Sequence, residues 1–576
     1  MAPPSADQLT GSNPAAPAAV SLVLNGETVV VHDGSTSLLH ALREQLDCRS
    51  VKDGCSPQGQ CGCCTVWIDG SPRVACVTAV RRVAGRAVTT VEGLHPDLRQ
   101  RWVDAFVAAG ASQCGFCTPG ILLRLAALEN SGRPVTREAV ESALLAHLCR
   151  CTGWQSIVEA ACAVFGIVHR NDGSAPGPRR GGVRDPLLAS WRAQIEGPEY
   201  QSSGPDVVLG GGGFADDTAP RGARVRLGAD GGDPAPDFTT AQSASGKVQG
   251  RNSTVPLTHP VSVPDGEWAV TLQTTWVEPA YVEPDASWCE PAGRPASVLA
   301  NGGAFGGKRR SPVPALARTL ADETGAPVRV LWSREDVVRH GPKRPPLSLG
   351  LRADGSGVVR IGRTPGSADL GPAMERLLQV VPGMVVEEVD IAGPPVSGDL
   401  RGAVWVEVLA ASRALQGSGK DAGTGVGHAE IALPGKGRAA VTLDSSVGAR
   451  GGVRVEVWAG EILCAVTLRS YVLGAVHQAL GLVRSEGIAV DASGAPQDLT
   501  IRSFGILAAR DMPDVDVVLH EEDRWPVNGS DAVFAATAAA AWMADGLQPT
   551  WPTRPVRRAG RPAAPPSTLD NEEERA

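Results

Sequence analysis

The sequence predicts an α+β multidomain protein: a small β-grasp-like unit, then a helical unit, then a larger α/β region. Three observations predict it. The residues after about position 19 alternate at period two around Asn-Gly and Asp-Gly turns. From about residue 97 the apolar period becomes helical. Eleven of the 13 cysteines lie before residue 163, and only Cys289 and Cys464 follow, so the chain changes character midway.

In the first unit, VSLVLNGETVVVHDG (20–34) reads as two strands joined at Asn25-Gly26, the strongest short hairpin signal. STSLLHALREQL (35–46) places Leu38, Leu39, Leu42 and Leu46 at helical spacing behind Ser/Thr capping residues. TVWIDGSPRVACVTAV gives a second hairpin, turning at Asp69-Gly70, with Cys76 expected on its second strand. The second unit reads as four helices. One lies in RQRWVDAFVAAGAS, one begins at Thr118 as cap with Pro119 in its first position, one spans 135–148 behind Thr136, and one begins in CRCTGWQSIVEAACAVF.

Between the first helix and the second hairpin lies GCSPQGQCGCCTV (54–66), with Cys55, Cys61, Cys63 and Cys64 inside ten positions. The N-terminus has neither a basic stretch nor an apolar one, so no export signal is expected, and clustered thiols then point to metal or redox roles rather than disulfides. Cys55, Cys61 and Cys64 with a distant Cys76 match the spacing of a plant-type [2Fe–2S] loop, one residue longer between the first two ligands. The small residues Gly54, Gly59 and Gly62 let three thiolates approach one cluster; Cys63 is left as packing beside it. The second set, Cys114-x2-Cys117 and Cys149-x-Cys151, suits a second cluster or an all-cysteine zinc site. Cys48 and Cys162 read as small buried hydrophobes.

The motifs GCSPQGQCGCCTV, QCGFCTPG and LCRCTGW, in that order, resemble the two-cluster iron–sulfur module of the xanthine dehydrogenase/aldehyde oxidase (molybdenum hydroxylase) family. The resemblance implies a plant-ferredoxin-like domain holding one [2Fe–2S] cluster on Cys55, Cys61, Cys64 and Cys76. It implies a four-helix domain holding a second on Cys114, Cys117, Cys149 and Cys151. The family usually has Asn where His147 stands.

RNDGSAPGPRRGG (170–182) is the clearest linker in the chain. Beyond it, NGGAFGGKRR (301–310) fits G-x-x-x-x-G-K at Gly302, Gly307 and Lys308, but Arg309 stands where a phosphate loop needs Ser or Thr. A Gly-rich turn close to an anionic cofactor and a plain tight turn are the two readings left. The stretch resembles the cofactor loop of the family's molybdenum subunit, which implies that Gly303, Phe305 and Gly306 form that loop here. GGGGFADD (210–217), TTWVEPAYVEPDAS (274–287) and RSYVLGAVHQALG (469–481) resemble other segments of that subunit. Two departures stand out: the unit is shorter, and the family's glutamate base is absent from WPVNGSDAVFAA (525–536). Asp531 is the nearest acid and the candidate substitute base, a capping aspartate being the plainer alternative. Arg401-Gly402 weakly resembles a family Arg-Gly segment.

These readings divide the chain into a disordered leader (1–18), a ferredoxin-like domain (19–95), a helical domain (96–169), a linker (170–183), a molybdopterin-subunit-like region (184–556) and a disordered tail (557–576). A net charge of −8 gives no hint of a nucleic-acid surface. The longest apolar run, AVFAATAAAAWMA (532–544), is too short to span a bilayer, so a cytoplasmic protein is expected. Two functions are expected from this pattern. One is an oxidoreductase passing electrons through two [2Fe–2S] clusters between a molybdopterin-type site, hydroxylating a heterocycle or aldehyde, and an external acceptor. The other is a non-catalytic electron-transfer subunit whose degenerate second half is a scaffold or partner-binding surface. With no flavin stretch between the two halves, the resemblance implies a separate flavin-binding or other acceptor subunit.

Overall fold

The computed structural model describes residues 19–132, 134–167, 185–197, 199–245, 255–299, 303–417 and 423–554. The leader, the linker and the tail lie outside these, as do Asn301 and Gly302 of the Gly-rich loop.

The first unit is a five-stranded sheet in the order Glu27–Val31, Val20–Leu24, Ala87–Thr89, Thr65–Ile68, Ser71–Val74. Only the Val20–Leu24 and Ala87–Thr89 pair runs parallel. Both hairpins turn where the sequence places them. Asn25 and Gly26 have φ of 51° and 93°, and Asp69 and Gly70 have 48° and 76°, the left-handed pair a two-residue turn needs. The helix is shorter than its leucine pattern suggests. Ser37 caps Leu38–His40 by accepting from His40 N–H, after which the turns widen into a π-helix over Ala41–Gln45. Cys76 is not on a strand. The last strand ends at Val74; Ala75 N–H still donates to Cys64 O at 3.0 Å, and Thr78 N–H then closes on Ala75 O at 3.2 Å, folding Ala75–Val77 into a 3₁₀ turn that carries Cys76 towards the loop.

Four helices follow at Pro96–Ala109, Thr118–Ala126, Arg137–Leu144 and Gln155–Val164. Thr136 caps the third through Ala139 N–H, as its sequence position suggests. The second begins one residue earlier than expected: Cys117 occupies the cap and Thr118 is already helical, its hydroxyl 3.0 Å from that of Ser112. The third helix stops at Leu144 rather than Leu148. Its continuation peels away to the first cysteine loop, where Leu148 N–H donates to Cys61 O at 3.0 Å.

The second half is built on three sheets of five, four and three strands. Two long helices, Ala465–Arg484 and Ser530–Ala544, pack against each other and against the sheets. The alanine run 532–544 belongs to an interior helix. Ala532–Ala541 are buried throughout, and its small side chains let Gly427 approach so closely that a Cβ there would lie 1.9 Å from Ala540 O. No helix among the described residues is long and apolar enough to cross a membrane.

One continuous apolar core runs through both units and into the second half, with a smaller satellite around Tyr281, Val313 and Val330. The halves meet backbone to backbone. A Cβ on Gly474 would stand 1.9 Å from Cys151 O, and one on Gly153 2.3 Å from Leu473 O. Around this contact Gln113 Nε2 donates to Cys151 O (2.9 Å) and Ser470 Oγ to Gly110 O (2.7 Å). Gly474→Val is therefore expected to cost at least ~2 kcal/mol by overpacking and to lower the melting temperature clearly. Gly232→Ala, where a Cβ meets nothing within 4 Å, should leave it nearly unchanged. Equal melting curves for the two variants would show that this contact is not tight.

Candidate iron–sulfur centres and the adjoining pocket

The cysteines that spacing groups together are brought together. Cys55 is held by hydrogen bonds with Cys61 and Cys76, and Cys76 lies also against Cys64. In the second set Cys114 and Cys151 sulfurs are 3.6 Å apart, while Cys149 pairs with Cys117 and Cys151. All eight are buried. The Cys61 and Cys76 thiols push the Cys55 thiol well below its ordinary pKa, and Cys117 and Cys151 do the same for Cys149. A thiolate is what an iron ligand must be. No three His, Cys, Asp or Glu side chains among the described residues converge as a single ion would require. The thiols of each set instead touch one another in a chain, four to a set, the ligand number that two irons sharing two sulfides need.

The first loop is shaped by its glycines and by the third-helix extension. Gly62 has φ of 77°, and a Cβ there would lie 2.5 Å from His147 Nδ1 and 2.6 Å from Ala146 O. A Cβ on Gly120 would stand 2.4 Å from Gly62 O. The loop is thus clamped between the second helix and His147, which burial depresses to a pKa of about 3, so it stays neutral. Backbone N–H groups of Gln58 and Gln60 donate to Cys55 Sγ at 3.2 and 3.4 Å. Cys63 is buried, its sulfur 3.9 Å from Cys61 O, and a Cβ on Gly120 would lie 2.9 Å from its carbonyl oxygen. It therefore packs against the helix that Cys117 caps, which the spacing alone does not reveal.

GGGGFADD locks the two units to the second half. A Cβ on Gly212 would meet Cys114 O at 2.3 Å. Asp216 and Asp217 hold the buried Arg43, and Asp217 also holds Lys52. Glu278 and Glu283 of TTWVEPAYVEPDAS are buried against Lys343 and Lys308.

The Gly-rich loop borders a cavity of about 50 Å³ reached also by Arg150, Glu278, Arg344, Arg401, Gln478 and Glu486. Gly303 and Phe305 line it. Gly306 does not; its φ of 97° lets it press on Asp399, whose carbonyl oxygen a Cβ would approach to 1.9 Å. Arg401, given no role by the sequence, is the centre of this corner. Its guanidinium lies 4.2 Å over the Phe305 ring and 2.9 Å from Asp531, and it also reaches Ser530. Asp531 is ion-paired with Lys436 as well. Burial alone would raise the Asp531 pKa, but Arg401 and Lys436 hold it below the usual carboxylate range. A carboxylate so stabilised is a poor proton acceptor, so the geometry sets Asp531 in an ion-pair network. Arg150, between Cys149 and Cys151, is paired with Glu486 (2.7 Å from Nη2 to Oε2), and Arg344 with Glu407.

A molybdopterin needs a cavity of several hundred Å³, the usual range of small-molecule sites, and a free cation for its phosphate. The residues present do not fit it as they stand. The cavity is an order of magnitude smaller, and Arg150, Arg344 and Arg401 are all taken up by carboxylates.

Two buried thiol quartets, one borne by a sheet unit and one by a helical unit, define an iron–sulfur electron-transfer protein. A [2Fe–2S] binding domain matches residues 90–162. The chain is 39% identical over 140 residues to the nicotinate dehydrogenase small FeS subunit of Eubacterium barkeri, covering 24% of this chain and 88% of that protein. It is 38% identical over 158 residues to the aldehyde oxidoreductase of Megalodesulfovibrio gigas, covering 26% of this chain but only 17% of that protein. The solved aldehyde oxidoreductase from Desulfovibrio gigas superposes with a TM-score of 0.66 at 15% identity, covering 94% of this chain and 99% of that one, a likeness of fold. The chain belongs to the xanthine dehydrogenase/aldehyde oxidoreductase family of iron–sulfur oxidoreductases.

The ligand register has a sharp test. Cys61→Ser is expected to lose one cluster's iron and its reduced-state paramagnetic signal, and to lower the melting temperature, because cluster binding stabilises the fold. Cys63→Ser should keep both signals. Iron loss on Cys63→Ser and not on Cys64→Ser would place the ligands one residue off.

Proposed function

We propose that the chain carries one [2Fe–2S] cluster on Cys55, Cys61, Cys64 and Cys76, in a ferredoxin-like β-grasp unit, and a second on Cys114, Cys117, Cys149 and Cys151, in a four-helix unit. Electrons pass through the second cluster and then the first to an external acceptor; in the hydroxylase reading they enter at the corner of Phe305 and Arg401. The observation that carries this order is the position of Arg150. It sits between Cys149 and Cys151 of the second set and lines the cavity at Phe305, while Cys63, beside Cys61 and Cys64, packs against the helix that Cys117 caps. The acceptor is a separate flavin-binding or comparable subunit, and the whole assembly works in the cytoplasm.

Family and fold support a donor site of the molybdopterin type at Phe305, hydroxylating an aldehyde or an electron-poor heterocycle. The small cavity and the engagement of Asp531 favour the second reading: an electron-transfer subunit whose molybdenum-subunit-like half serves as scaffold. Metal analysis separates the two. About four irons per chain are expected in either case from two clusters. Molybdenum near one per chain, with turnover of aldehydes or purines, would establish the first reading; iron without molybdenum or turnover would establish the second. Zinc in place of iron would overturn both. Under the second reading Asp531→Ala strands two cations in a largely buried corner. It should cost about 3 kcal/mol, read as a lower melting temperature, and leave cluster reduction intact.

A further inference from the structure

A second cavity, of about 780 Å³, shares no lining residue with the Phe305 corner. Its size falls within the range of roughly 300–1,000 Å³ typical of small-molecule sites. Asp53, Ser56 and Pro57 form part of its wall, on either side of Cys55. Phe116, which lies between Cys114 and Cys117, forms another part, edge-on to Phe214 at 5.1 Å. The Phe116 ring and Cys61 Sγ both come within 3.1 Å of where a Gly54 Cβ would sit, so this wall is also the outer surface of the first cluster site.

The lining is unfinished in hydrogen-bonding terms. His40, Arg226, Asp285 and Trp332 line the cavity with polar side chains, and His40 Nδ1, Arg226 Nε and Trp332 Nε1 lie within its wall without a hydrogen-bond partner. His40, Asp285 and Trp332 are 6%, 1% and 4% exposed. An unpartnered buried polar atom is costly, and a ligand towards which these side chains turn relieves that cost. Aromatic rings supply the remaining surface: His40 lies 5.0 Å from Phe238, and Trp332 lies 6.1 Å from His340.

Charge narrows the ligand further. Arg43 and Arg329 are bound to Asp216, Asp217 and Glu44, and Arg339 to Glu335, so these cations are not available to a phosphate; the remaining lining arginine, Arg226, donates to Ala229 O (2.9 Å). Asp230 and Asp233 stand exposed at the lining and add negative charge. The site thus favours a planar, neutral or cationic molecule over a phosphorylated one.

We propose that this cavity binds a planar N-heteroaromatic redox carrier lacking phosphate, which exchanges electrons directly with the first cluster. The proposal rests on the electron-transfer reading above. In the step it implies, each reduced cluster gives up one electron and returns to its oxidised form. The carrier takes both electrons, and protons from water, to reach its dihydro form; no bond to the protein is made.

The test uses the purified full-length protein with N-methylphenazinium as a cationic probe and FMN as a phosphorylated one of similar ring system. Equilibrium dialysis against the oxidised protein should show saturable binding of N-methylphenazinium, one per chain, and none of FMN. Asp230→Lys with Asp233→Lys, both on the surface, should weaken phenazinium binding at least tenfold, and Ala241→Phe, which fills the cavity, should do the same. At subsaturating dye, reoxidation of the dithionite-reduced clusters should slow by the same factor in the lysine variant. Absence of binding in an iron-replete protein, or unchanged binding in both variants, overturns this proposal alone. Absence of iron overturns the electron-transfer reading and the proposal with it.

Discussion

Everything in this molecule is arranged around one close approach, the carbonyl of Cys151 against Gly474. Only glycine on the helix Ala465–Arg484 lets that helix lie on the segment between the second-set cysteines. From this contact the order of the surroundings follows. Gln113 and Gln478 donate to the Cys151 and Arg150 carbonyls, and Arg150 reaches past the helix to Glu486. Trp154, with φ of 69°, turns its indole N–H to Leu507 O at 3.0 Å. The thiols of the second set are thereby held by the second half as much as by their own helices.

The first set is held in the same manner one layer out. Its loop accepts Leu148 N–H through Cys61, supports His147 through Gly62, and is braced by Gly120. Arg334 then donates to Gly54 O (3.0 Å) and to Val282 O (2.8 Å), joining that loop to the second half as well. The eight thiols are all buried and packed about by backbone and small residues, although the first loop shows Pro57 to solvent. Such surroundings exclude water and fix the distances that electron exchange depends on.

Local chemistry is legible in the sequence. Turn pairs such as Asn25-Gly26 act within four residues, so the hairpins follow from residue order alone. The cysteine quartets are legible because ligand geometry dictates spacing. The shifts are small where competition is local: Cys117 rather than Thr118 caps a helix, and the 3₁₀ turn Ala75–Val77 takes over from the strand just ahead of Cys76. The pairing at the Phe305 corner is not legible. Arg401 and Asp531 are 130 positions apart, and Arg150 and Glu486 are separated by 336; no periodicity links such partners. The Gly-rich loop is the instructive case. Its glycines signal close backbone approach, but a motif does not say to what, and here Gly306 meets Asp399 of the chain itself.

In a relative such as the nicotinate dehydrogenase small FeS subunit, the part matching this chain's first quarter is a polypeptide of its own. Here the same part is covalently continuous with what it docks on. Tethering turns a second-order association into a first-order one, so that occupancy of the joint no longer depends on cellular concentration, and the ratio of the two parts is fixed at synthesis. The joint itself does not need the tether. It is sealed by the Arg150–Glu486 and Arg469–Glu159 pairs and by the apolar core that crosses it. A protease cutting between residues 168 and 184 would produce two fragments that migrate as one particle.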